Sequence, residues 1–67
     1  MNTDKRGEVI KKRRTSLNID QRTLSEISGI AVHTLSNIEA GNGNPTVATL
    51  DRVLNALGLE LCIRVKE

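Results

Sequence analysis

The stretch from Asp20 to Pro45, DQRTLSEISGIAVHTLSNIEAGNGNP, constrains the fold more than any other part of the chain. Two short apolar-periodic segments flank Gly29. Leu24 and Ile27 lie three apart before it, and Leu35 and Ile38 lie three apart after it. This spacing predicts two short amphipathic helices joined by a tight turn. Asp20 is suited to cap the first, because its carboxylate can accept from free backbone N–H groups of the opening turn. Gly29 supplies the left-handed conformation that ends this helix after about two turns. Ile30 is expected to fill the elbow.

The second helix is expected over Val32 to Glu39, ending before Gly41. At 100° per residue, Ala31, Leu35 and Ile38 point one way, and Val32, His33, Ser36 and Asn37 point the other. The outer face is small, neutral and rich in hydrogen-bonding groups, with no charge before Glu39. A solvated helix face more often carries Lys and Glu. This one suits base edges in duplex DNA, where an amide, imidazole or hydroxyl exchanges hydrogen bonds and a valine packs on a thymine methyl.

Sixty-seven residues make one small domain, near the lower limit for a single core without disulfide or metal. The sequence is read as a single domain over residues 1–67. No apolar run approaches the roughly 20 residues of a membrane span, and the N-terminus has no signal-peptide core, so a cytoplasmic protein is expected. A lone Cys62 and a lone His33 give no internal disulfide and no metal-ligand set. No cofactor is implied. The chain has no aromatic residue, which removes the stacking platforms used by single-strand and RNA readers and leaves duplex DNA open. The net charge of +2 is compatible with that partner without requiring it.

Asn2, Thr3 and Asp4 are candidate caps for a first helix running to about Leu17, with Val9, Ile10 and Leu17 as its apolar positions. The run Lys11 to Arg14 cannot all face one way and reads as a solvated face, Arg14 excepted. After the loop Gly41 to Asn44, Pro45 and Thr46 open another helix with Thr46 as cap. Val47, Leu50, Val53, Leu54 and Leu57 recur along it at three- and four-residue steps, and Gly58 ends it. From Leu59 to Val65 the period becomes two, with Leu59, Leu61, Ile63 and Val65 on one side and Glu60, Cys62 and Arg64 on the other. This predicts a strand over residues 59–65. The chain holds no second strand, so its mate is expected from a second copy, through a dimer interface of Leu59, Leu61, Ile63 and Val65.

Enzyme chemistry finds little support. No carboxylate, cysteine or second histidine can be placed beside His33 by local spacing. Ser25 and Ser28 lack a nucleophile elbow, and GNGN follows no strand, so it is a turn and not a phosphate loop. Ser25 reads as a small residue where two helices cross closely. Cys62 is a free thiol with only Arg64 on its face to lower its pKa. No catalytic residue is assigned.

Gln21, Leu24, Ser25, Gly29, Ile30, Leu35, Ile38, Glu39, Gly41 and Pro45 match, in order and spacing, the helix-turn-helix of phage repressors and Cro-like regulators. Through them the chain resembles the XRE-like family over roughly Gly7 to Leu57. Asp20 stands where that family usually has Thr, Ser25 where Ala is usual, and Ala40 where a basic or amide residue is frequent. Only the last bears on a phosphate contact. The resemblance implies a mainly α, lambda-repressor-like bundle of four or five short helices, here with one C-terminal β-strand that pairs across a dimer. It implies a transcriptional repressor acting as a dimer on a palindromic operator. Val32, His33 and Asn37 would reach bases, with Thr34 and Ser36 beside them. Gln21, Asn42 and Asn44 would hold phosphates, and Arg14 would pair with Glu39 at the end of the reading helix. The run ALGLELCIRV resembles the end of HipB-type antitoxins, which repress their own operon and bind a HipA-type kinase toxin. The alternative is a protein-interaction module whose main role is neutralising a toxin, with DNA binding secondary.

Overall fold

A computed structural model describes residues 5–62 and 65 of the chain. The described residues form four helices: α1 (Arg6–Ser16), α2 (Gln21–Ser28), α3 (Val32–Glu39) and α4 (Val47–Ala56). Helix α3 packs against both α1 and α2, and α2 also packs against α4. Ile10, Leu24, Leu35, Ile38, Leu50, Val53 and Leu57 form the core, with Ile19, Ile30, Leu54, Ala56 and Leu59 packed around it. Every helix contributes a buried aliphatic side chain, so α3 is held from behind by the whole bundle.

Local chemistry fixes the helix ends. Asp20 accepts from the backbone N–H of Thr23 at 2.8 Å, and Thr46 accepts from that of Thr49 at 3.0 Å, each satisfying a donor of the opening turn. Gly29 closes α2 in the left-handed region at φ 76°. Helices α1, α3 and α4 end in one shared pattern. The residue three beyond the last helical position donates back to the third-last carbonyl: Ile19 to Arg14, Asn42 to Asn37 and Leu59 to Leu54. This is the Schellman closure, which needs a left-handed residue just after the cap. Gly41 and Gly58 supply it in α3 and α4, and Asn18 supplies it in α1 at φ 60°, its short amide tolerating that region better than other side chains do.

Helix α1 differs from the sequence expectation. Val9 is 52 % exposed and Leu17 is also exposed, whereas Gly7, Ile10 and Arg14 are buried. The inward stripe is therefore 7–10–14, a glycine, an isoleucine and an arginine. Gly7 lies against α3 so closely that a Cβ would collide with the backbone carbonyl oxygens of Ile38 and Glu39. The expected caps Asn2, Thr3 and Asp4 lie outside the described residues. The helix follows Lys5, which makes no capping side-chain bond. Gly7→Ala should therefore push α1 off α3. We expect a net loss of about 1–3 kcal/mol, as in overpacked cores, despite the better helix propensity of alanine, read as a lower urea midpoint at unchanged slope.

Two other apolar positions turn outward. Ile27 is 58 % exposed, and buried Ser28 takes the inward place. The Ser28 hydroxyl accepts from the Ile30 N–H at 3.2 Å, satisfying a backbone donor inside the turn that an isoleucine could not serve. Val47 is 64 % exposed at the start of α4, while Leu50, Val53 and Leu57 face the core. Ser25 is half-buried. No strand forms among the described residues of the expected 59–65 segment, and Ile63 lies outside them. A strand exists only as part of a hydrogen-bonded ladder, and no other strand forms among the described residues to pair with it.

Candidate nucleic-acid interface

Leu35 and Ile38 anchor α3 in the core, which turns its opposite side outward. Val32, His33 and Ser36 are exposed there, and Thr34 and Asn37 are half-buried at its flank. On one side of α3, Thr34 and Asn37 share a cleft with Asn42, Gly43 and Asn44. The loop is held there by the bond from the Asn42 N–H to the Asn37 carbonyl at 2.8 Å. On the other side, Ser36 shares a polar hollow with Gln21, Arg14, Glu39 and Lys11. The residues singled out in the sequence thus fall into two groups flanking one exposed helix face.

Glu39 is the centre of the second group. Arg14 Nε donates to Glu39 Oε2 at 2.7 Å and Arg14 Nη2 to Oε1 at 3.0 Å, a bidentate pair whose side chains are 10 % and 4 % exposed. Arg14 Nη1 also donates to the Ile19 carbonyl at 2.8 Å. Gln21 Nε2 donates to Glu39 Oε1 at 3.1 Å. Both carboxylate oxygens are therefore occupied from behind, and α3 shows no free acid to an approaching polyanion.

A family model described as helix-turn-helix matches residues 10–63 of the chain. The chain belongs to the XRE-like helix-turn-helix family. No curated protein matches it. In this family α2 and α3 are the two helices of the motif, Gly29 to Ala31 is its turn, and the domain is one of DNA-binding transcription regulators. Among the described residues of this helix-turn-helix domain, no three His, Cys, Asp or Glu side chains gather to hold a metal, and no helix is long and apolar enough to cross a membrane.

The electrostatics of the domain follow from the Glu39 cluster. Burial pushes the Glu39 carboxyl up, but hydrogen bonds from Arg14 and Gln21 and the charges of Arg14 and Lys11 outweigh it, holding the group below its ordinary value. The hydrogen bond to Glu39 raises the Arg14 guanidinium, against its own burial. At the other end of the turn, the Thr23 N–H lowers the Asp20 carboxyl. All three stay charged at neutral pH.

Gln21 emerges with a dual position. One amide hydrogen is committed to Glu39, which leaves its second N–H and its Oε1 for anything outside. Two contributors had little sequence signal. Arg13, within the basic run, donates from Nε to the Leu57 carbonyl at 2.9 Å and so ties α1 to the end of α4. Gly7 sets how near α1 approaches α3. A glycine inside a helical pattern, with no turn to make, is the one clue that could have marked it.

Proposed function

We propose that the protein is a sequence-specific repressor that binds duplex DNA as a symmetric dimer on a palindromic operator, with the whole of residues 1–67 acting as one DNA-binding domain. The carrying observation is the uncharged, hydrogen-bonding outer face of α3, whose only acid, Glu39, is turned inward onto Arg14. In this reading Val32, His33, Thr34, Ser36 and Asn37 contact bases, and Gln21, Asn42 and Asn44 hold phosphates on either side. Phosphate contacts set register, and base contacts set sequence. The experiment is selection of bound sites from randomised duplex DNA. A palindromic consensus with half-sites about 34–36 Å apart is expected, and recovery of unselected sequence would overturn the proposal.

Residue by residue, Asn37→Ala should cost about 1–3 kcal/mol of binding and relax preference at one base position. Gln21→Ala should weaken every duplex alike, with a shallower salt dependence, because a phosphate contact carries no sequence information. Titrations against a panel of single-base variants separate the two. Uniform weakening by Asn37→Ala would remove that residue from the base-reading set.

A second reading adds a protein partner. An apolar groove runs between α1, α4 and the C-terminal segment, with Val9, Leu50, Leu54, Leu59 and Leu61 among its lining and no α3 residue in it. Together with the HipB-like run at Ala56 to Val65, it supports a role as the antitoxin of a HipA-like kinase toxin, alongside repression. A kinase-like gene directly downstream, whose product forms a stable complex with this chain, is the expected observation. Absence of any complex between the two would leave repression alone.

A further inference from the structure

His33 and Asn37 stand one turn apart on the outer face of α3, and Asn37 Nδ2 lies 3.4 Å from His33 Nε2. An amide nitrogen can only donate, so in this arrangement Nε2 accepts and the neutral ring carries its proton on Nδ1, whereas the opposite tautomer would turn the amide round to accept through Oδ1. The contact decides more than the ring. An asparagine amide rotated by half a turn exchanges its donor and acceptor, and most exposed asparagines are free to make that exchange. The Nδ1–H tautomer of His33 selects one orientation: Nδ2 is turned towards the ring, and Oδ1 lies on the other side. The Asn37 backbone is fixed as well, since its carbonyl accepts the Asn42 N–H.

With one hydrogen of Nδ2 on the imidazole, the amide still offers its second N–H and a free Oδ1. A donor and an acceptor side by side are the complement of the major-groove edge of adenine, which presents acceptor N7 next to the N6 amino donor. Guanine presents two acceptors, N7 and O6, and meets one donor with one acceptor facing its O6. Resting on the DNA-binding reading above, we propose that His33 is a positioning residue that locks the Asn37 amide in the orientation selecting adenine at the base this asparagine faces. The recognition helix is thus preorganised before it meets DNA, and part of the specificity assigned to Asn37 belongs to the residue one turn earlier.

The test uses the full chain and a duplex panel varying each operator position. Asn37→Ala identifies the base position that Asn37 reads, as the position where preference is lost, and wild type should prefer adenine there. His33→Ala, at an exposed site, should lower discrimination at that same position by roughly three- to tenfold, in addition to any loss at a base His33 touches itself. His33→Gln places an amide oxygen where Nε2 stood and should restore much of it, because a glutamine and an asparagine one turn apart pair on a helix. In the Asn37→Ala background, His33→Ala should change nothing further at that position. Nitrogen chemical shifts of the neutral ring in the free protein should show the proton on Nδ1. A proton on Nε2, or unchanged adenine discrimination in His33→Ala, would overturn the proposal. Failure of the DNA reading is separately visible: wild type would then select no common sequence, and the inference would fall with it.

Discussion

Arg14→Met should destabilise the fold by about 3–5 kcal/mol, the usual cost of leaving a buried charge without its partner. A domain of this size holds only several kcal/mol in all, so the variant should be largely unfolded at room temperature. The loss has two parts. Glu39 keeps only Gln21 as a donor, and the Ile19 carbonyl loses the Arg14 Nη1 bond that closes the end of α1. Glu39→Leu should cost less than Arg14→Met, because the freed guanidinium still holds Ile19. The double variant Arg14→Met with Glu39→Leu removes both charges and leaves one carbonyl and one glutamine amide to find water. It should lie well below the sum of the singles, at roughly 1–3 kcal/mol. Urea denaturation of the four proteins gives the coupling energy directly. Additive singles would mean that the pair contributes no mutual energy.

The same cluster sets a pH dependence whose sign follows from the direction of the shift. The folded-state pKa of Glu39 is lowered. Its contribution is therefore complete above the unfolded-chain value, near 4.3 for a glutamate, and disappears as the pH falls from there through the folded value. Asp20, also lowered, adds to the same acid side. Melting curves should fall steeply below about pH 4–5, and Glu39→Gln should flatten that fall. Arg14→Met should also flatten that fall. Without the guanidinium, the Glu39 carboxyl loses the largest of the influences that lower it and rises relative to the wild type, so the fall in stability towards acid should be shallower.

The positions where the sequence was informative are those whose structure is decided within a few residues. Asp20, Gly29, Thr46 and Gly58 mark helix ends because capping bonds and left-handed closure are local events. Val32 to Glu39 follows from the same logic, since Gly29 and Gly41 bracket it. Orientation about the helix axis was harder. In α1 the inward positions are Gly7 and Arg14 as well as Ile10, and neither glycine nor arginine carries an apolar signal. They face inward because of the Ile38 and Glu39 backbone and the Glu39 carboxylate, far along the chain. Ile27 and Val47 sit outside for the complementary reason: at each helix the interior was already supplied, by Ser28 with its hydroxyl on Ile30 and by the Leu50–Val53–Leu57 stripe. Around α3 the sequence offered candidate residues, and the resemblance implied the Arg14–Glu39 pair, but the other couplings were not legible. Gln21 bonded to Glu39, and Asn37 to His33, are meetings of side chains that spacing permits and only packing selects.

Removal of Leu61 to Glu67 should convert the proposed dimer into a monomer and weaken operator binding by about 10²–10⁴, the advantage that linking two half-site contacts confers. Truncating after Glu60 is the sharper cut, because Leu59 closes α4 through its N–H to the Leu54 carbonyl and packs on the core. What remains keeps all four helices and their caps. In the single chain, Val65 is 91 % exposed, and Leu61 stands at the edge of the groove that also exposes Val9. A segment alternating Leu59, Leu61, Ile63 and Val65, if it is the strand its period of two predicts, has an edge and an apolar face that one partner can cover. An antiparallel ladder with its two-fold copy satisfies the edge, and it lays apolar side chains from both chains over the grooves beside α1 and α4. The two-fold axis then presents two α3 helices to one side of the duplex, which is why a palindrome is expected. In the proposed dimer of the full chain, association would add stability by mass action, so the melting temperature should rise with protein concentration, and for the truncated chain it should not. Leu61→Lys with Ile63→Lys should act like the truncation by placing like charges across the ladder. Sedimentation equilibrium on the three proteins, paired with operator titrations, decides the matter. A truncated chain that remains dimeric and tight on its operator would place the interface on another surface, with the exposed Ile27 and Val47 the first residues to substitute.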